Sequence, residues 1–177
     1  MAITHDKAAL KIVRPDAVML ELITREWPEG ASQTFVKYSP LALSSGLAVA
    51  FVAPGTAKLA AWALSDGHNT TGASVSVVLA GPEVEIEANF LGAAAADNVL
   101  AAADFGGKFD IDVSATLLGA SSPGWYIKDA TADPTVRITQ FPPVRKANEP
   151  ATRTGAGDTN ARVLARVMDT VTHWNTT

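Results

Sequence analysis

Residues 41–90 constrain the fold more than any other stretch of this 177-residue chain. Four strand-length apolar runs follow one another, each closed by a turn signal. LAVAFVA (47–53) ends at Pro54-Gly55, and TAKLAAWAL (56–64) ends at the loop Ser65-Asp66-Gly67-His68-Asn69. SVSVVLA (74–80) ends at Gly81-Pro82, and EVEIEANF (83–90) ends before Leu91-Gly92. Short runs at near-even spacing, punctuated by Pro and Gly, predict an all-β fold, a small antiparallel β-barrel or sandwich.

The flanking segments extend this pattern. Residues 9–13 (ALKIV) and 18–23 (VMLELI) read as strands around the turn-prone Arg14-Pro15-Asp16, and Trp27-Pro28-Glu29-Gly30 closes the segment. The second run is apolar on both faces, so it wants cover on both. Residues 1–31 are therefore expected to be extra strands or an extended arm, since chain ends are mobile unless tied down. QTFVKY (33–38), KFDIDV (108–113), WYIK (125–128) and TVRITQF (135–141) read as further strands. Residues 93–104 favour one short helix by alanine content, against which Asp97-Asn98 argues for a loop. Residues 142–160 (PPVRKANEPATRTGAGDTN) have no apolar periodicity and predict a long projecting hairpin loop. In ARVLARVMDTV (161–171) the β-branched content favours a strand over a helix. Pairing it with 135–141 would close the sheet. The expected organisation is thus 1–31 arm or extra strands, 32–141 barrel core, 142–160 loop and 161–177 closing strand and C-terminus.

With no cysteine, disulfides and thiolate metal sites are excluded, so stability comes from packing or assembly. The chain opens without a basic region followed by an apolar stretch, and its longest apolar run is too short to span a bilayer. The expectation is a protein made in a cytoplasm, with no membrane partner. Charge is uneven around a net of −4. Residues 46–135 hold three lysines against ten carboxylates, whereas 136–177 hold six cations against three acids. The two halves are able to pair with each other or with neighbours. Scattered cations without interleaved aromatics argue against a nucleic-acid partner.

No catalytic signature emerges. His5, His68 and His173 stand far apart in no zinc-like pattern, and read as loop or surface residues. Glu83, Glu85 and Glu87 share one strand face, which reads as solvated. With Asp110 and Asp112 they could offer Ca²⁺ oxygens, but without EF-hand spacing. There is no phosphate loop and no nucleophile elbow. Trp27, Trp62, Trp125 and Trp174 sit near the ends of runs and read as core or interface plugs. No cofactor and no enzymatic activity are expected.

Five stretches in order carry a resemblance: SQTFVKYSPLALSSGLAVAF, KLAAWALSDGHNTTGASVSVVL, GPEVEIEANFLG, LAAADFGGKFDIDV and GWYIKDATADPTVRITQF. Read as a whole, residues 32–141 and the closing strand, about two thirds of the chain, resemble the small β-barrel (β-tulip-like) capsid decoration, or cement, proteins of tailed bacteriophages. The resemblance implies a structural protein on the outer capsid surface of a virion, made in the bacterial host cytoplasm. Its partners would be the major capsid protein and itself, as a homotrimer that clamps neighbouring capsid subunits. Strand addition from the N-terminal segment would supply contact. Leu10, Ile12, Val13, Leu20 and Trp27 are the candidate contacts there, with Arg145, Lys146 and Arg153 in the loop. Two other readings stay open: a tail-tube or tail-terminator virion protein, and a carbohydrate-binding β-sandwich with exposed Trp and Tyr.

Overall fold

The structure, a computed structural model, describes residues 4–14, 24–52, 58–119, 123–130, 134–140 and 156–168. These residues form eleven strands and two single 3-10 turns. The strands are β1 (Lys11–Arg14), β2 (Thr24–Pro28), β3 (Pro40–Ser44), β4 (Leu47–Ala50), β5 (Ala61–Ala63) and β6 (Ser74–Leu79), followed by β7 (Glu85–Leu91), β8 (Lys108–Ser114), β9 (Gly124–Lys128), β10 (Val136–Gln140) and β11 (Arg162–Val167). The all-β expectation is met.

Where the sequence suggested one barrel core, the strands divide into two units. The second is a five-stranded barrel, β7-β11-β10-β8-β9, closed by parallel pairing of β7 with β9. The edge of β7 that receives β9 at Phe90 and Leu91 receives β1 at Glu85 to Glu87. Strand β1 thus fills the part of that edge that β9 does not reach. The first unit is a five-stranded sheet, β2-β6-β5-β3-β4. Glu29, directly after β2, bridges Ala48 of β4 in parallel, and Gly30 N–H donates to Ala48 O at 2.8 Å. This contact curls the two edges together. Gly30 allows the approach: a Cβ there would lie 2.7 Å from the Val49 side chain and 3.2 Å from Ala48 O.

Both units follow one strand order. Counting the five strands of each in chain order, the ring runs first-fifth-fourth-second-third, with every pairing antiparallel except that between first and third. The chain is a tandem of the same five-stranded unit.

Alternation decides what each strand buries. In the first unit Leu41, Ala48, Ala61, Ala63, Val75 and Val77 face inward, with Phe35 as a plug. Trp62 and Val78 take the opposite face and join the core of the second barrel, which contains Ile86, Phe90, Phe109, Ile111, Ile127 and Val163. Phe90 and Phe109 meet edge-on at 4.9 Å between ring centroids. Phe51, after β4, lies 6.2 Å from Trp125 of β9, tying the two units together. The β3–β4 hairpin turns on Ser45 and Gly46, both at positive φ, the backbone of a two-residue type I′ turn.

Three expectations differ from the structure. Residues 33–38 form no strand. Tyr38 sits at φ +69, Asp66 captures the Lys37 N–H, and Phe35 O accepts from Gly67 N–H, so the loop binds loop rather than sheet. The run 56–64 shortens to the three residues of β5 among those described. Residues 93–104 form neither one helix nor a plain loop: 3-10 turns at Ala93–Ala95 and Ala102–Asp104 flank Asp97 and Asn98. Strand β11 pairs with β10 as expected, and also with β7.

Candidate functional site

The glutamates of β7 define the first polar site. Their face was expected to be solvated, yet Glu85 and Glu87 are buried. β7 is the common neighbour of β1, β9 and β11, and cations from β11 together with residues 5–9 cover its outer face. Arg162 Nε donates to Glu87 Oε1 at 3.1 Å, and Arg166 Nε to Glu85 Oε1 at 3.4 Å. The acidic middle and basic end of the sequence therefore meet within the fold. Arg162 also donates from Nη1 to Ala8 O (3.0 Å) and Asn89 Oδ1 (3.1 Å), and from Nη2 to Ala9 O (3.1 Å) and Glu87 O (3.2 Å). Asn89, fully buried, accepts from Ala8 N–H and donates to Asp6 O and Asn160 O. Residues 5–9 are thus stitched onto the barrel by buried polar groups.

His5 belongs to this network. Its Nε2 lies 2.9 Å from Asp158 Oδ2, with both side chains largely buried. It was expected to be a surface or loop residue; it lies outside the strands, but its side chain is covered. The reason for the difference is that Thr4 bridges Thr159, which places residue 5 against residues 156–160. Lys7 pairs with Asp97 at 3.1 Å, and its hydrogen bond, with that from Asn160, holds the Asp97 carboxyl below its ordinary range.

A second site fastens the loop after β5. Glu29, fully buried, accepts the His68 N–H at 2.7 Å on Oε2, with His68 Nδ1 at 3.3 Å. Burial pushes this carboxyl up. The His68 backbone and ring outweigh that effect, together with the N–H groups of Asn69 and Thr70, so the net shift is downward. A carboxyl lowered in the folded state stabilises the fold fully above its unfolded value. That contribution is lost as pH falls through the lower, folded value. Glu29→Gln is therefore expected to cost about 1–3 kcal/mol at neutral pH, because a neutral amide oxygen accepts the His68 N–H more weakly than the carboxylate does, and its NH2 group is buried where Oε1 has no partner among the described residues. It should also flatten the decline in stability below about pH 4.5. Urea unfolding across a pH series checks both effects.

The third site is a surface cleft of about 410 Å³ on the second barrel. Lys108 of β8, Arg137 of β10 and Arg166 of β11 lie in cross-strand register and line it, with the Thr139 hydroxyl and the apolar side chains of Pro82 and Met168. Their sequence neighbours Phe109, Val136, Ile138 and Val167 point into the core, so all three cations point out. Glu85 is next in the row, accepting from Arg166 and from Thr139 Oγ1 at 2.9 Å. Among the described residues neither Lys108 nor Arg137 has a carboxylate or hydrogen-bond partner. Three cations that look scattered in sequence become one patch because β8, β10 and β11 are neighbours.

Of the candidate contact residues, Leu10 is a core residue, Ile12 is half-buried against that core, and Val13 is exposed on β1. Trp27 is half-buried against the first unit's interior. The structure gathers none of these into the cationic cleft. Leu20, Arg145, Lys146 and Arg153 lie outside the described residues, as does His173. Among the described residues no three His, Asp or Glu side chains converge to hold a metal ion, and three of the carboxylates weighed for Ca²⁺ are engaged with cations. Glu85 and Glu87 face arginines, and Asp112 pairs with Lys128 at 3.1 Å. Trp62 and Trp125 are buried in the core, as plugs would be.

No family model, no curated protein and no solved structure matches the chain.

Proposed function

We propose that this chain is a structural virion protein that binds the outside of an icosahedral phage capsid and clamps neighbouring subunits. The observation that carries the reading is the placement of the five resembling stretches. They fall in order on β3–β4, β5–β6, β7, β8 and β9–β10, so, apart from the opening run 33–38, the strand-like runs of the pattern lie in successive strands of the β-fold. The geometry is in keeping with function by contact. The buried carboxylates described above fasten segments to the fold, while Val13, Val52, Val99, Phe105 and Val113 remain exposed as scattered apolar positions. Residues 4–14 are tied down by Leu10 and the Arg162 bonds, so contact through this segment would use the outward side of an anchored strand.

Light scattering on the purified chain, followed by sedimentation with expanded, undecorated shells, tests the proposal. A trimer that co-sediments to saturation is the expected result. A monomer that ignores shells would overturn it in favour of a ligand-binding module, and a large ring would overturn it in favour of a tail protein.

A further inference from the structure

From the row Lys108–Arg137–Arg166, we infer that the cleft on the second barrel is a docking site for an acidic peptide segment of a partner protein. Cations directly opposite one another on adjacent strands repel, so folding into this register carries a cost that a bound anion would relieve. The strands stand about 4.8 Å apart, which spaces the three charges as a short ladder rather than a single point. Glu85 engages Arg166 through Nε only, at 3.4 Å, and among the described residues the terminal guanidinium nitrogens have no partner. Among the described residues the Arg137 guanidinium is likewise unengaged. Two such forks match the two-oxygen geometry of carboxylates, and Lys108 adds a point charge at the end of the row. Thr139 Oγ1 is anchored by donating to Glu85 and fixes the floor.

Peptide is favoured over nucleic acid on two grounds. The cleft walls that are not charged are aliphatic, Pro82 and Met168, and so offer contact to side-chain methylenes rather than a ring face for stacking bases. The chain also carries a net charge of −4, which repels a long polyphosphate more than it repels a few carboxylates bound inside a local cationic patch. This inference concerns a site that the virion reading does not specify and stands independently of it.

The test is fluorescence anisotropy with labelled hexaglutamate, using the full chain. Binding is expected at low salt, weakening as salt rises. The double reversal K108E/R137E should reduce affinity at least about tenfold, whereas Lys37→Glu, on the first unit and outside the cleft, should leave it unchanged. Both substituted cleft positions are exposed, and circular dichroism verifies that the fold persists. Absence of binding, or equal binding by the double variant, would overturn the inference. So would tighter binding of hexathymidylate, which would assign the cleft to nucleic acid. Full displacement by millimolar inorganic phosphate would overturn it in favour of a small-anion site. Self-association abolished by the double reversal would place a second copy there instead. Because the probe is a free peptide, each of these results is separable from the shell-sedimentation outcome.

Discussion

Replacing Arg162 by methionine is expected to lower the free energy of unfolding by about 3–5 kcal/mol, measured by urea denaturation. Arg162 donates to Glu87 Oε1, to Asn89 Oδ1 and to the carbonyls of Ala8, Ala9 and Glu87. Methionine fills a similar volume but supplies no donor. The buried carboxylate of Glu87 then loses its bond to Arg162, and the buried Asn89 side chain and the part-buried carbonyls of Ala8 and Glu87 lose a donor where water reaches poorly. The penalty arises from stranded partners rather than from the intrinsic worth of the pair. Replacing Arg162 and Glu87 together, by Met and Leu, is accordingly expected to recover a large part of the loss. Limited proteolysis adds a local readout: residues 5–9 should become cleavable in Arg162→Met well before the barrel unfolds. A cost below about 1 kcal/mol would show that this network does not hold the segment.

Trp62→Ala is expected to be comparably damaging, by about 3–5 kcal/mol, while Trp62→Phe costs less than about 1.5 kcal/mol. Trp62 has no solvent exposure and sits between Pro40 and Val78 in the register of the first unit. Its neighbours Ala61 and Ala63 point into that unit, so the indole points the other way, into the core that the second barrel owns. Alanine opens a cavity at the seam between the two halves. Phenylalanine keeps most of the apolar volume and removes the Nε1–H, which is buried with no acceptor among the described residues. The contrast separates loss of packing from loss of a polar group. Equal costs for the two variants would refute the packing account.

Much of the secondary structure was legible because alternation and turn chemistry are local. Val84, Ile86 and Ala88 alternate with Glu83, Glu85 and Glu87, and β7 forms there with the apolar set inward. Ser45-Gly46 marks its hairpin through the backbone each turn position demands. The misreading at 33–38 has a physical source. QTFVKY has strand composition, but strand propensity reflects the surface a segment packs on. Here the backbone groups are taken by Asp66 and Gly67, and Phe35 serves as a plug.

The functional candidates were less legible, because charge in a sequence has no depth. Glu85 and Glu87 read as solvated since alternation tells which residues share a face, not what covers it. The cover comes from Arg162 and Arg166, more than seventy positions away in the chain, and residues 5–9 lie over Glu87 and Asn89. The sequence did contain one usable signal, the reversal from an acidic middle to a basic end. His5 offered none, since its partner Asp158 lies 153 residues away.

By itself the sequence determined the class of the fold, the approximate strands and most of the turns, all of which follow from periods of two and from residues with special backbone preferences. Only the tertiary structure decided that the strands divide into two rings of one order, since pairing depends on which edges meet across long separations. It also decided that Lys108, Arg137 and Arg166 stand side by side. Their sequence separations of 29 residues at each step become single inter-strand steps only once β8, β10 and β11 pair.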